Sequence, residues 1–126
     1  MGQSYVIANL DKKEFLDPHG LGDGSKLQEF AFREHGPTNV AIALLLAGRP
    51  TFSEVDRELV GRRAGSWCGN RIAIVGLYDD PVPGRKENLF ELITGMGSEG
   101  YVNISMEIVE MVRAYLASFG RPSERQ

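Results

Sequence analysis

The sequence predicts an α+β fold, a small, mainly antiparallel sheet with two or three helices packed on it. Three observations carry that expectation. Two short apolar stretches, Ser4–Leu10 and Glu14–Asp17, flank a polar turn near the start of the chain. A near-continuous apolar run spans Arg71–Tyr78. Apolar residues at Ile104, Ile108, Val112, Tyr115 and Phe119 recur at helical spacing. Strand and helix segments do not alternate in a βαβ rhythm, which favours α+β over a doubly wound parallel sheet.

In Ser4–Leu10 the β-branched Val6 and Ile7 favour extended backbone, and Asp11-Lys12-Lys13 supplies the turn into Glu14–Asp17. Lys26–Phe32 fits either a third strand or a short helix. Pro37-Thr38-Asn39 opens a helix in which Thr38 or Asn39 would cap the first turn. Val40–Ala47 is apolar on every side, which predicts burial all round, with Gly48 and Pro50 as stop signals. Ser53-Glu54-Val55-Asp56 has capping-box spacing and opens a short surface helix reaching Arg62.

Arg71–Tyr78 reads as a central strand covered on both faces, within which Gly76 marks a bulge or a close approach of another backbone. Asp79-Asp80-Pro81 ends it. Asn88 and Glu91 open a further short helix. The amphipathic helix that follows has Ser105 as its expected cap and Gly120 as its stop. Residues 1–120 form one domain, and 121–126 a flexible tail.

A chain of 126 residues can bury its own core. The net charge of −3 supplies no basic field, which excludes general nucleic-acid binding. Arg57, Arg62 and Arg63 cluster, but Glu54, Asp56 and Glu58 among them cancel the field. The single cysteine, Cys68, excludes an internal disulfide and a paired-cysteine zinc site. No membrane span or secretory leader is evident, so a cytoplasmic setting is expected.

The candidate chemistry centres on a glycine-rich stretch, Asp17-Pro18-His19-Gly20-Leu21-Gly22-Asp23-Gly24-Ser25-Lys26. Glycines adopt positive φ freely, so His19, Gly22, Asp23, Gly24, Ser25 and Lys26 are the candidate ligand-binding residues, able to curl N–H groups toward an anion. The order Gly-Ser-Lys matches neither the P-loop nor the dinucleotide fingerprint. The alternative for the stretch is a plain connection between strands. Asp79 and Asp80, beyond a strand end, are the candidate metal pair and suit Mg²⁺. They equally serve as a turn. His19 and His35 lack helical ligand spacing. Cys68 has no base fixed beside it in sequence, and Ser66 lacks the flanking pattern of a nucleophile elbow.

The run Met1–Leu16, with Gly22-Asp23-Gly24 and Lys26-Leu27-x-Glu29-Phe30, resembles a family of small bacterial and phage proteins without a known activity. Arg71–Asp80 is similar to that family's second shared stretch. The resemblance covers about half the chain. It implies a bacterial or phage setting and supplies no residue roles.

No nucleophile, base and oxyanion donor assemble in the sequence. The expectation is therefore a non-catalytic accessory protein that binds another protein, or itself, through loops or a sheet edge, and in that way inhibits or neutralises a larger protein. It needs no cofactor. The alternative is a binder or hydrolase of a phosphate-bearing small molecule such as a nucleotide, with the glycine-rich loop on the phosphate and Asp79 and Asp80 on Mg²⁺.

Overall fold

A computed structural model of the protein describes residues 3–34, 36–47, 63–95 and 100–119. The expected helix from Ser53 to Arg62, His35, the stop residues Gly48, Pro50 and Gly120, and the tail 121–126 lie outside the described residues. The fold is α+β. Its sheet contains β1 (Tyr5–Asn9), β2 (Glu14–Leu16), β3 (Ile72–Gly76) and β4 (Val102–Asn103) in the order β3-β1-β2-β4. Strand β1 pairs antiparallel with both β2 and β3, and β2 pairs parallel with β4. The sheet is thus mixed but mainly antiparallel. The helices among the described residues are α1 (Pro18–Leu21), α2 (Leu27–Ala31), α3 (Pro37–Leu46), α4 (Leu89–Ile93) and α5 (Ser105–Phe119). None of them is long and apolar enough to cross a membrane.

The N-terminal hairpin forms as expected, with Ile7 opposite Leu16 and Asn9 opposite Glu14. Its turn is shaped by the buried Asn9, whose Oδ1 accepts the N–H groups of Asp11 at 2.9 Å and Lys12 at 2.8 Å. Side chains alternate across the strands. One face therefore carries Ile7 and Leu16 into the larger core, where Leu21, Phe30, Leu44, Leu45, Trp67, Ile108 and Val112 cover them. The other face carries Val6, Ala8, Phe15 and Val75 against Ile93. The sheet thus lies between α1, α3 and α5 on one side and the short α4 on the other.

Several expectations are corrected. Strand β3 is an edge strand and not a central one, and it is not covered on both faces. Ile74 stands opposite Ile7 in register, yet it is 50% exposed, because the larger core that covers Ile7 does not include it; the opposite face of β3 carries Val75 against Ile93 of α4. Lys26–Phe32 resolves to the helix α2, closed by Lys26 N–H donating to Glu29 Oε1 at 3.1 Å. Helix α3 is buried on one face, through Thr38, Ala41, Leu44 and Leu45, while Ala43 is exposed.

The expected caps of α3 and α5 are also displaced. Gly36 is the N-cap of α3 and Pro37 follows it, so Thr38 and Asn39 lie inside the helix. The capping oxygen comes instead from Asp23. Asn39 turns back, and its Nδ2 donates to the carbonyls of Phe30, Ala31 and Arg33 at the end of α2. At α5 the Ser105 N–H donates to Asn103 Oδ1 at 3.0 Å, and the Ser105 hydroxyl accepts Asp17 N–H at 2.7 Å. Asn88 and Glu91 do form the expected capping box of α4.

Candidate functional site

The glycine-rich stretch is not one loop. Asp17 caps the single turn α1, its Oδ1 accepting His19 N–H at 3.0 Å, and Pro18 takes the first helical position, where its missing N–H costs nothing. Gly22 ends that turn in the left-handed conformation, at φ 103°. The chain then runs along the start of β1, where Tyr5 N–H donates to Ser25 C=O at 2.9 Å and Ser4 bridges Lys26.

Three backbone donors of the stretch are already engaged inside the chain. Gly22 N–H donates to His19 C=O, Asp23 N–H to Pro18 C=O, and Lys26 N–H to Glu29. Asp23 is 4% exposed, and its carboxylate accepts from Arg33 Nη1 at 2.6 Å and from Thr38 N–H at 3.0 Å. It therefore acts as a tie between α1, α2 and α3.

The stretch serves two separate clefts. His19 and Ser25 open into one of about 330 Å³, together with Tyr5, Phe15, Asp17, Phe90, Thr94 and Asn103. Lys26 opens into another, of about 340 Å³, between Gln3, Tyr5, Leu27, Gln28 and Phe32. In the first cleft the hydroxyls of Ser4 and Ser25 are bonded to each other at 3.0 Å. Tyr5 borders both clefts and accepts Gln3 Nε2–H on its phenolic oxygen.

Asp79 and Asp80 stand apart from this stretch, beyond the end of β3. Strand β1 separates β3 from the Ser25–Lys26 segment, a span of roughly 10 Å at ordinary strand spacing. Asp79 Oδ2 accepts Gly76 N–H at 2.8 Å, and its N–H donates to Gly76 C=O at 3.1 Å, so this residue closes the turn. Asp80 is exposed. Among the described residues no three His, Cys, Asp or Glu side chains come together as a metal ion would require. Cys68 is free and exposed in the turn after Ala64, beside the fully buried Trp67.

The edge of the sheet at β3 is the other notable surface. Leu10 N–H donates to Arg71 C=O, and Leu77 N–H to Ser4 C=O, each at 2.9 Å. In an antiparallel ladder the bonded positions alternate. Arg71, Ala73, Val75 and Leu77 therefore face β1, while the backbone groups of Ile72, Ile74 and Gly76 point away from the sheet. Asp79 takes both groups of Gly76. Those of Ile72 and Ile74 remain open among the described residues. Their side chains are 37% and 50% exposed. The signal available in the sequence was the alternation Ile72-Ala73-Ile74-Val75, which places the two isoleucines on one face but does not say what lies over them.

No family model, no curated protein and no solved structure matches the chain.

Proposed function

We propose that this protein is a non-catalytic, cytoplasmic accessory module that binds another protein by accepting one of its extended segments as an added strand along β3. The observation that carries the reading is the edge itself. Among the described residues the four backbone groups of Ile72 and Ile74 are open, and both β-branched side chains are exposed. Edge strands are ordinarily blunted by lysine, proline, a bulge or a covering element, because an open apolar edge recruits other strands. Here the only closure among the described residues is Asp79 on Gly76, at one end. Main-chain bonds would supply affinity, and the two isoleucines would select apolar, β-branched residues at alternate positions of the incoming strand. A bacterial or phage setting is part of the proposal, and inhibition of a larger protein is the role that such capture would serve.

The test is selection from a random peptide library, followed by hydrogen exchange on the complex. Selected peptides should alternate apolar residues, should slow exchange of the Ile72 and Ile74 amides, and should lose binding to Ile74→Lys at least tenfold. Peptides that bind Ile74→Lys as well as the parent, or that leave those two amides unprotected, would overturn the reading.

A further inference from the structure

The cleft that His19 and Ser25 enter carries an inference independent of the sheet edge, and its sign is opposite to the one the glycine-rich sequence suggests. We propose that it is a binding site for a small amine, a ligand with an ammonium group on an apolar, preferably aromatic, body. Among the described residues of the lining the one carboxylate is that of Asp17, beside the imidazole of His19 and the phenol of Tyr5. The neighbouring ammonium, on Lys26, lines the other cleft. The amides of Gly22, Asp23 and Lys26 are engaged within the chain, so they do not offset that negative charge.

The carboxylate is also held in place. Asp17 N–H donates to the buried Ser105 hydroxyl at 2.7 Å, its C=O accepts Leu21 N–H at 3.2 Å, and its Oδ1 accepts His19 N–H at 3.0 Å. Oδ2 finds no partner among the described residues. A carboxylate fixed on rigid elements, with one oxygen still to satisfy, binds a cation without further ordering cost. Acceptors converge on the same space. Thr94 Oγ1 spends its hydrogen on Phe90 C=O at 2.9 Å and keeps its lone pairs, and one of the paired Ser4 and Ser25 hydroxyls does the same. Phe15 and Val6 from the sheet and Phe90 from α4 supply the apolar part of the wall, with the Tyr5 ring and the Asn103 carboxamide beside them. At about 330 Å³ the space is at the small end of ligand cavities. An ammonium on Asp17 with an apolar body against Phe15 and Phe90 satisfies each of these features.

The experiment is a ¹⁵N NMR titration of the intact chain with phenethylamine, and with phenylacetate as a probe of similar size and opposite charge. Phenethylamine should give saturable shifts at His19, Ser25, Thr94 and Asn103, and phenylacetate should give none. Asp17→Asn keeps an acceptor for His19 N–H, because asparagine caps a helix as well as aspartate does, so the fold is retained. It should weaken phenethylamine at least tenfold. Equal binding of both probes to the parent, no saturable shift with phenethylamine, or an Asp17→Asn variant that binds the amine undiminished would each overturn the proposal. The two probes compared on the parent protein decide the matter even if the variant fails to fold.

Discussion

The carboxylate of Asp23 caps helix α3 from fifteen residues upstream, accepting Thr38 N–H at 3.0 Å while it holds Arg33 at 2.6 Å. Gly36 and Pro37 leave that helix without a side-chain cap of its own. Because Asp23 is buried and Arg33 is half exposed, removing the carboxylate orphans a buried N–H but strands no buried charge. Asp23→Ala should cost about 2–3 kcal/mol, the sum of a lost cap and a charge-assisted bond. Asp23→Asn, which keeps an acceptor, should cost about 1 kcal/mol. Urea unfolding with an unchanged denaturant slope is the check.

That relationship also shows what the sequence could reveal. The hairpin, α4 with its Asn88–Glu91 box, and α5 were legible because each is specified locally, by alternation, by a cap at fixed spacing, or by a helical apolar stripe. Whatever depends on partners distant in sequence was not. Asp23 as a remote cap, Ser105 bonding Asp17 across 88 positions, and the two-residue β4 with both side chains exposed leave no periodic trace. The position of β3 was misread for the same reason. An apolar run records that side chains prefer burial, but the reach of the helices decides whether they obtain it. At the candidate site, Gly22 takes the positive φ that glycine permits, while the sorting of His19 and Lys26 into different clefts is a tertiary outcome.

A second prediction concerns Glu14, which joins β2 to the segment around Trp67. Its Oε1 accepts Trp67 Nε1–H at 2.9 Å, and its Oε2 accepts from Arg63 Nη1 at 2.9 Å. Arg63 reaches on to Glu107 at 2.7 Å. The hydrogen bond to Glu107, and then the one to Glu14, hold the guanidinium protonated beyond its ordinary range. Trp67 is fully buried, so Glu14→Ala leaves its indole N–H without a partner at a cost of about 1–3 kcal/mol. Glu14→Gln retains the acceptor and should recover most of that loss. Trp67 is the only tryptophan, so its fluorescence reports the change directly.

The sequence predicts a bulge or a close approach of another backbone at Gly76; in the structure its closest neighbours are instead the side chains of Gln3 and Tyr5. A Cβ there would run into the Gln3 carboxamide and would lie 2.9 Å from Tyr5 Cε2. Gln3 could swing away only by releasing Tyr78 N–H, which donates to its Oε1 at 2.6 Å. Gly76→Ala should therefore destabilise by about 1–3 kcal/mol, the usual cost of overpacking. The double variant Gly76→Ala with Gln3→Ala should regain part of it in the same unfolding measurement.

The last prediction is a pH effect at Asp11. Its carboxylate accepts Arg71 N–H at 2.7 Å and the Arg71 guanidinium at 2.9 Å, fastening the hairpin turn to the start of β3. The backbone bond, ahead of the side-chain bond, holds the Asp11 carboxyl below the usual aspartate range. A depressed value in the folded state means that the pair contributes stability above the ordinary aspartate pKa and loses it as pH falls through the lower folded value. Carboxyl NMR should place the Asp11 midpoint below that of an unpaired aspartate. Arg71→Ala should return it only part of the way, because the backbone N–H that dominates the shift survives the substitution. The stability difference between the parent and Asp11→Asn should shrink as acid is added over that window. A full return of the midpoint in Arg71→Ala would show that the guanidinium alone controls the group.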